Sequence, residues 1–324
     1  LKVWRNCIGI YDEKKETTKK IIKVILTIVA SIVSLLILLI IIEMPRWIGD
    51  YKYEIHILKG EATICGYRGG ENVVVPSKIG PFKIKYISNS TFKDNDNIKS
   101  VFIPADLDSS VEVWIDGCNN LDTVEWEEGC KVITASIGRC GNIKHIIIPD
   151  GVERFEGYIS FYNSDEDIYF PKSLYYFHTS GIDCDYLQEK HADKKYYVIG
   201  DGILLFYNGN LSEDIVIPDG IKSIGCLFYS DESATNRKLY MPDSIERIRM
   251  DIDENEEVFF GNEEFKEIEF YGFMEGTVVA PAGSYMENYC KENGYNFRAM
   301  TKEEEEIWKE KTTSVSPDEI AYQN

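Results

Sequence analysis

A short apolar run that ends in proline recurs along this chain, and its spacing constrains the fold more than any other feature. The runs are Val73-Val74-Val75-Pro76, Val101-Phe102-Ile103-Pro104, Ile146-Ile147-Ile148-Pro149, Ile168-Tyr169-Phe170-Pro171, Ile215-Val216-Ile217-Pro218 and Leu239-Tyr240-Met241-Pro242. Successive prolines stand 28, 45, 22, 47 and 24 residues apart. The two near-double intervals point to copies without the proline, and one is visible as Val124-Glu125-Trp126-Glu127. A unit of about 22–24 residues cannot bury its own apolar face, so the copies must stack into a solenoid.

The flanking residues keep the same register. Asn95-Asp96-Asn97-Ile98, Cys118-Asn119-Asn120-Leu121 and Cys140-Gly141-Asn142-Ile143 precede strands. After the strands, apolar residues return at three-residue steps: Pro149, Val152, Phe155; Pro171, Leu174, Phe177; Pro218, Ile221, Ile224; Pro242, Ile245, Ile248. In each run the first and third residues face the core and the middle one faces outward. Proline ends the strand because it has no N–H for the ladder. Asp150-Gly151 and Asp219-Gly220 then turn the chain. The expected fold is a repeat solenoid of short parallel strands, with Val101, Ile103, Val124, Trp126, Ile146, Ile148, Ile168, Phe170, Ile215 and Ile217 lining one continuous core.

The segment Ile215-Val216-Ile217-Pro218-Asp219-Gly220-Ile221-Lys222-Ser223-Ile224-Gly225 and its cognates resemble the BspA-like leucine-rich repeat family of bacterial cell-surface proteins. Ala62 to Tyr67, Asp201-Gly202-Ile203-Leu204 and Ala282 to Phe297 look like further parts that recur in that family. The match covers most of residues 53–300, while residues 178–200 and 250–270 depart from it. The resemblance implies a leucine-rich-repeat solenoid displayed on a bacterial surface, with adhesion or host-factor binding as the function.

Val24 to Ile42 is 19 residues without a charge. As a helix it spans about 28 Å, close to the hydrocarbon thickness of a bilayer. A helix buried in a globular core would carry a polar stripe, and this one has none. A cleaved signal peptide would have a shorter apolar run ending in small residues; here the run ends Ile-Ile-Ile-Glu-Met-Pro, so a retained anchor is expected. Residues 1–42 hold seven basic side chains against three acidic ones, leaving 28 basic against 52 acidic in the rest. The positive-inside rule puts the N-terminal side in the cytoplasm. The expected layout is a cytoplasmic arm (1–20), a membrane-spanning helix (21–43), a linker entering a capping hairpin (44–60), an extracellular solenoid (61–300), and an acidic tail (301–324) whose solvated helix runs into disorder. The protein is then a single-pass protein of the cell membrane. So acidic a body repels phosphate backbones, which argues against nucleic acid as a partner.

Signals for chemistry are weak. With Cys7 in the cytoplasm, seven cysteines remain outside, an odd number, and no C-x-x-C occurs. Cys118 and Cys140 share one repeat column in coils about 5 Å apart, which suits either a bridge or two buried thiols, the second being favoured. His56, His145, His178 and His191 lack metal-ligand spacing. The acidic runs at 94–97 and 251–255 lack the glycine of a calcium loop, where the second has Glu256. No catalytic residue, metal site or cofactor is predicted, and the chain is read as non-catalytic.

One pattern bears on function. The outward middle residues are Val74, Phe102, Glu125, Ile147, Tyr169, Val216 and Tyr240, and six of the seven are apolar or aromatic. Side by side they form a candidate recognition strip, with Phe102, Ile147, Tyr169, Val216 and Tyr240 as its binding residues; plain β-propensity explains the same residues. The preferred function is a membrane-anchored protein-binding or adhesion module for a protein or cell-envelope ligand. A cell-envelope scaffold subunit is the alternative, and a membrane-bound hydrolase a weaker one.

Overall fold

The computed structural model describes residues 2–160, 168–183, 185–225, 237–261 and 265–323. The side chains of Cys7, His178, Cys184 and Cys226 lie outside the described residues. The chain opens with helix α1 (Lys2–Glu43), followed by a β-solenoid of about nine turns of parallel strands. Within α1, Glu16–Leu38 is long and apolar enough to cross a membrane, and nothing in the described protein covers it. A sheet built on the antiparallel hairpin Tyr51–His56 and Glu61–Tyr67 closes the N-terminal end of the solenoid.

Each coil contributes two strands, and like strands stack into columns. In the N-terminal half the first column is Asn72–Val74, Ser100–Ile103, Thr123–Trp126 and His145–Ile147, all parallel, with Tyr169 bridged to Ile147. Its second column runs from Phe92–Lys93 through Val113–Asp116, Val132–Gly138 and Arg154–Ser160 to Tyr176–Asp183. In the C-terminal half the first column resumes as Ile215–Val216, Lys238–Tyr240, Glu257–Phe259, Thr277–Ala280 and Phe297–Ala299. The copy without proline keeps its place, and the Glu127 N–H donates to the Ile103 carbonyl at 2.9 Å where proline has no hydrogen to give. In the second column Gly157 is required, because its φ is +140° and a Cβ would meet the Ala135 carbonyl oxygen at 1.8 Å.

All ten residues expected in the core are buried, but the core is divided. One cluster runs from Tyr51 to Phe206, and a second begins at Tyr196. The divider is the antiparallel hairpin Tyr196–Ile199 and Ile203–Tyr207, whose side chains alternate between them except at a bulge where both Leu205 and Phe206 join the first. Tyr197, Ile199, Ile203 and Leu205 join the first cluster; Tyr196, Val198, Leu204 and Tyr207 join the second. A hairpin buried on both faces needs no polar residue in alternation, and its first strand accounts for the end of the 178–200 stretch that departs from the repeat pattern. A short helix α2 (Asp185–Lys190) precedes it.

The C-terminal end also differs from expectation. Helix α3 (Tyr285–Asn293) is capped by the Ser284 side chain and by Gly294 in the left-handed conformation. Residues 301–324 were expected to end in disorder. Instead α4 (Lys302–Thr313) packs on the solenoid, and Ile320–Tyr322 pairs in parallel with Tyr196–Ile199. Burial of Trp308 on one helix face and the ladder to the divider hairpin supply what a solvated tail lacks.

Candidate functional site

The middle residues of the first-column strands stand in register in the N-terminal half. Val74 lies beside Phe102, Phe102 beside Glu125, Glu125 beside Ile147, and Ile147 beside Tyr169. Because side chains alternate along a strand, these five project from one face. Val74 is 61 % exposed and Ile147 and Tyr169 45 % each, Glu125 is exposed, and Phe102 is half-buried. Tyr169 donates its hydroxyl to Asp150 at 3.2 Å, which fixes the ring at the end of the row.

The C-terminal half carries the same kind of row, but α4 lies on it. Val216, Tyr240, Phe259, Val279 and Arg298 are in register there. Tyr240, Phe259 and Val279 are buried with Trp308 of α4, and Val216 packs against that group. The Tyr240 and Phe259 rings stack at 4.8 Å. The Trp308 indole donates Nε1–H to the Met241 carbonyl at 2.8 Å, and Gly261 leaves room for the ring, since a Cβ there would stand 2.8 Å from it.

Ion pairs tie both ends of α4. Glu304 takes a bidentate pair from Arg298 at 2.8 and 2.9 Å, which with the Thr301 cap holds its carboxyl down at about 2. Lys311 reaches Asp214 at 3.1 Å and stands 4.2 Å from the centre of the Tyr240 ring. The helix therefore crosses every strand of the C-terminal row.

The five residues expected in the recognition strip thus fall into two groups. Phe102, Ile147 and Tyr169 line an open face. Tyr240 is only 4 % exposed and, with Val216, belongs to the seat of α4. The placement of Tyr240 as an outward surface residue is corrected by the helix that covers it. Trp308 escaped the sequence reading, although an indole inside an acidic helix whose Thr301-x-x-Glu304 sequence forms a capping box marks a buried face.

Among the described residues, no three His, Cys, Asp or Glu side chains converge as a metal site. Cys118 and Cys140 are buried free thiols. Cys118 donates to the Phe92 carbonyl at 2.8 Å and Cys140 to the Gly138 carbonyl at 3.2 Å. The neighbouring Cys118 thiol, with burial, pushes the Cys140 thiol up.

Residues 72–188 match the family model described as BspA type leucine rich repeat region, in 6 copies. No curated protein matches the chain. Several solved structures are similar to it. A leucine-rich repeat protein from Bacteroides capillosus is 18% identical, over 43% of this chain and 100% of that one, with a TM-score of 0.25. A leucine rich cell surface protein from Faecalibacterium prausnitzii is 13% identical, over 84% of this chain and 98% of that one, with a TM-score of 0.22. The pneumococcal vaccine antigen PcpA is 11% identical, over 80% of this chain and 99% of that one, with a TM-score of 0.26.

Proposed function

We propose that this chain, which carries a BspA-type leucine-rich repeat region, is a membrane-anchored binding module that presents its open strip to a protein ligand outside the cell. The observation that carries this reading is the row Val74, Phe102, Ile147 and Tyr169 on the solvent face of the first column. An in-register apolar row on an extended sheet surface is where solenoids bind, and its tyrosine offers contact area with a polar tip.

The test is a paired measurement on the full chain. The double substitution Ile147→Ser, Tyr169→Ala is expected to weaken capture of the cell-envelope or host ligand by about 2–4 kcal/mol, the scale of hot-spot truncation. The melting temperature should move little, because both side chains are largely exposed. Undiminished capture by the double variant would remove the strip from the binding surface.

Anchoring is supported by the uncovered apolar stretch Glu16–Leu38. Its hydroxyls need nothing from water: Thr27 donates to the Lys23 carbonyl, Ser31 to that of Thr27 and Ser34 to that of Ala30, at 2.8–2.9 Å. Beyond the helix, Arg68 sits 4.6 Å from the centre of the Trp47 ring, an aromatic and cationic pair suited to headgroup depth. The full chain should stay in the membrane pellet after carbonate extraction, and protease added outside intact cells should digest residues beyond Glu43. A soluble form starting near Pro45 would show a cleaved signal segment instead.

A further inference from the structure

The covered row shows what the open row is shaped to accept. Both are built from the middle residues of first-column strands, and both extend across five coils. Five strands span about 19 Å at the usual inter-strand distance. The 12-residue α4 measures about 18 Å at 1.5 Å per residue. The helix lies along the stacking direction, because its early residue Glu304 meets the last strand at Arg298 and its late residue Lys311 meets Asp214 ahead of the first. Its apolar contribution is narrow: one indole set into the row at Tyr240, Phe259 and Val279, with charged contacts at the two ends.

The open row repeats this shape with two changes of charge: it ends in Tyr169 where the covered row has Arg298, and its centre gains a carboxylate. Its central position holds the exposed carboxylate of Glu125, between Phe102 and Ile147, where the covered row has Phe259 between Tyr240 and Val279. An occupant must bring a cation to that point or leave the carboxylate buried without a partner, which is costly. The surrounding body, with 52 acidic residues against 28 basic ones beyond residue 42, attracts basic segments at longer range.

From this match we propose that the open strip takes an amphipathic helix of a partner protein. The helix has about 12–13 residues, one aromatic side chain on its apolar face, and a lysine or arginine that meets Glu125. This rests on the binding reading above and names the chemistry of its ligand. The chain's own α4 is held away from the open row by its ion pairs and by the tail beyond it. There Ile320–Tyr322 pairs with the divider hairpin, and Gln323 accepts from the Phe170 N–H at 2.9 Å and donates to the Ile168 carbonyl.

The probe is a labelled 14-residue peptide of Leu and Lys with one Trp, its apolar residues at helical spacing. A peptide of identical composition with alternating apolar residues is the control. Binding is read by fluorescence anisotropy on the full chain in zwitterionic lipid nanodiscs, with empty discs as the blank. The helical peptide should bind at least 10-fold more tightly than the alternating one. Ile147→Ser with Tyr169→Ala should weaken it at least 30-fold. Glu125→Lys should weaken it about 10-fold at low salt, while Glu254→Lys, an exposed acid in the C-terminal half, should leave it unchanged. Equal binding of the two peptides overturns the proposal, as does equal loss in the Glu125 and Glu254 variants, since either outcome means cation attraction alone. If the helical peptide fails to bind while the strip variant still loses its natural ligand, this inference falls and the binding reading stands. If the strip variant keeps its natural ligand, the binding reading falls as well.

Discussion

Replacing Arg237 with Met is expected to lower the unfolding free energy at neutral pH by about 3–5 kcal/mol, the usual cost of breaking a buried ion pair from one side. The Arg237 side chain is 1 % exposed and that of its partner Glu256 4 %. Arg237 also donates to the Leu211 carbonyl at 2.9 Å, and Glu256 accepts from the Asp253 N–H at 3.2 Å. The pair therefore ties the loop before the first strand of the C-terminal half to the turn at residues 253–256.

The pH dependence has a definite sign. Burial pushes the Glu256 carboxyl up, and Arg237 pulls it partly back. A carboxyl raised in the folded state favours folding most when protonated, and that contribution is lost as pH rises through the folded value. Removing Arg237 raises the carboxyl further. The defect should thus be larger at pH 7 than at pH 5, since lowering the pH moves Glu256 toward its protonated form. The double variant Arg237→Met, Glu256→Met should recover most of the loss, because well-packed apolar replacements of buried pairs are often neutral. Denaturant melts at the two pH values check this. A single-variant loss below about 1 kcal/mol at pH 7 would place the pair among the weak, solvated ones.

The repeat architecture was legible because its signals are local. A proline after three apolar residues ends a strand wherever the coil lies, and the period locates the copy at Val124 to Glu127 without it. What the period did not carry is what crosses between coils. The hairpin at Tyr196–Tyr207 is apolar on both faces, so its sequence has no alternation to read, and it divides a core that the pattern presented as one. The candidate site was half legible for the same reason. Alternation turned Tyr169 and Tyr240 to the same side of their strands, but nothing near Tyr240 in sequence announces a helix that begins 62 residues later, at Lys302. Among the described residues, no such helix lies over Phe102, Ile147 and Tyr169.

Trp308→Ala is expected to release α4 and cost about 3–5 kcal/mol, the range for deleting a buried indole. The ring is 3 % exposed, packs on Tyr240, Phe259 and Val279, and makes a 2.8 Å hydrogen bond to the Met241 carbonyl. The remaining ties of α4 are weaker. Lys311 and Asp214 are 35 % and 40 % exposed, and pairs of that kind contribute about 0–1 kcal/mol. The Arg298–Glu304 pair is less exposed and adds an acid sensitivity of known direction. Glu304 is depressed from 4.5 to about 2 in the folded state, so its contribution is present above pH 4.5 and is lost as pH falls toward 2. Hydrogen exchange resolves the outcome by segment. In Trp308→Ala, amides of residues 302–313 and 320–322 should lose protection, while those of residues 100–103 and 123–126 keep theirs. Trp308→Phe should fall between wild type and Ala, since it keeps a ring but leaves the Met241 carbonyl without its donor. Acid should loosen α4 sooner in Trp308→Ala than in wild type, because the ion pairs then carry a larger share of its attachment. Unchanged protection of residues 302–313 in the alanine variant would mean that the ion pairs and the tail strand, and not the indole, seat the helix on the row.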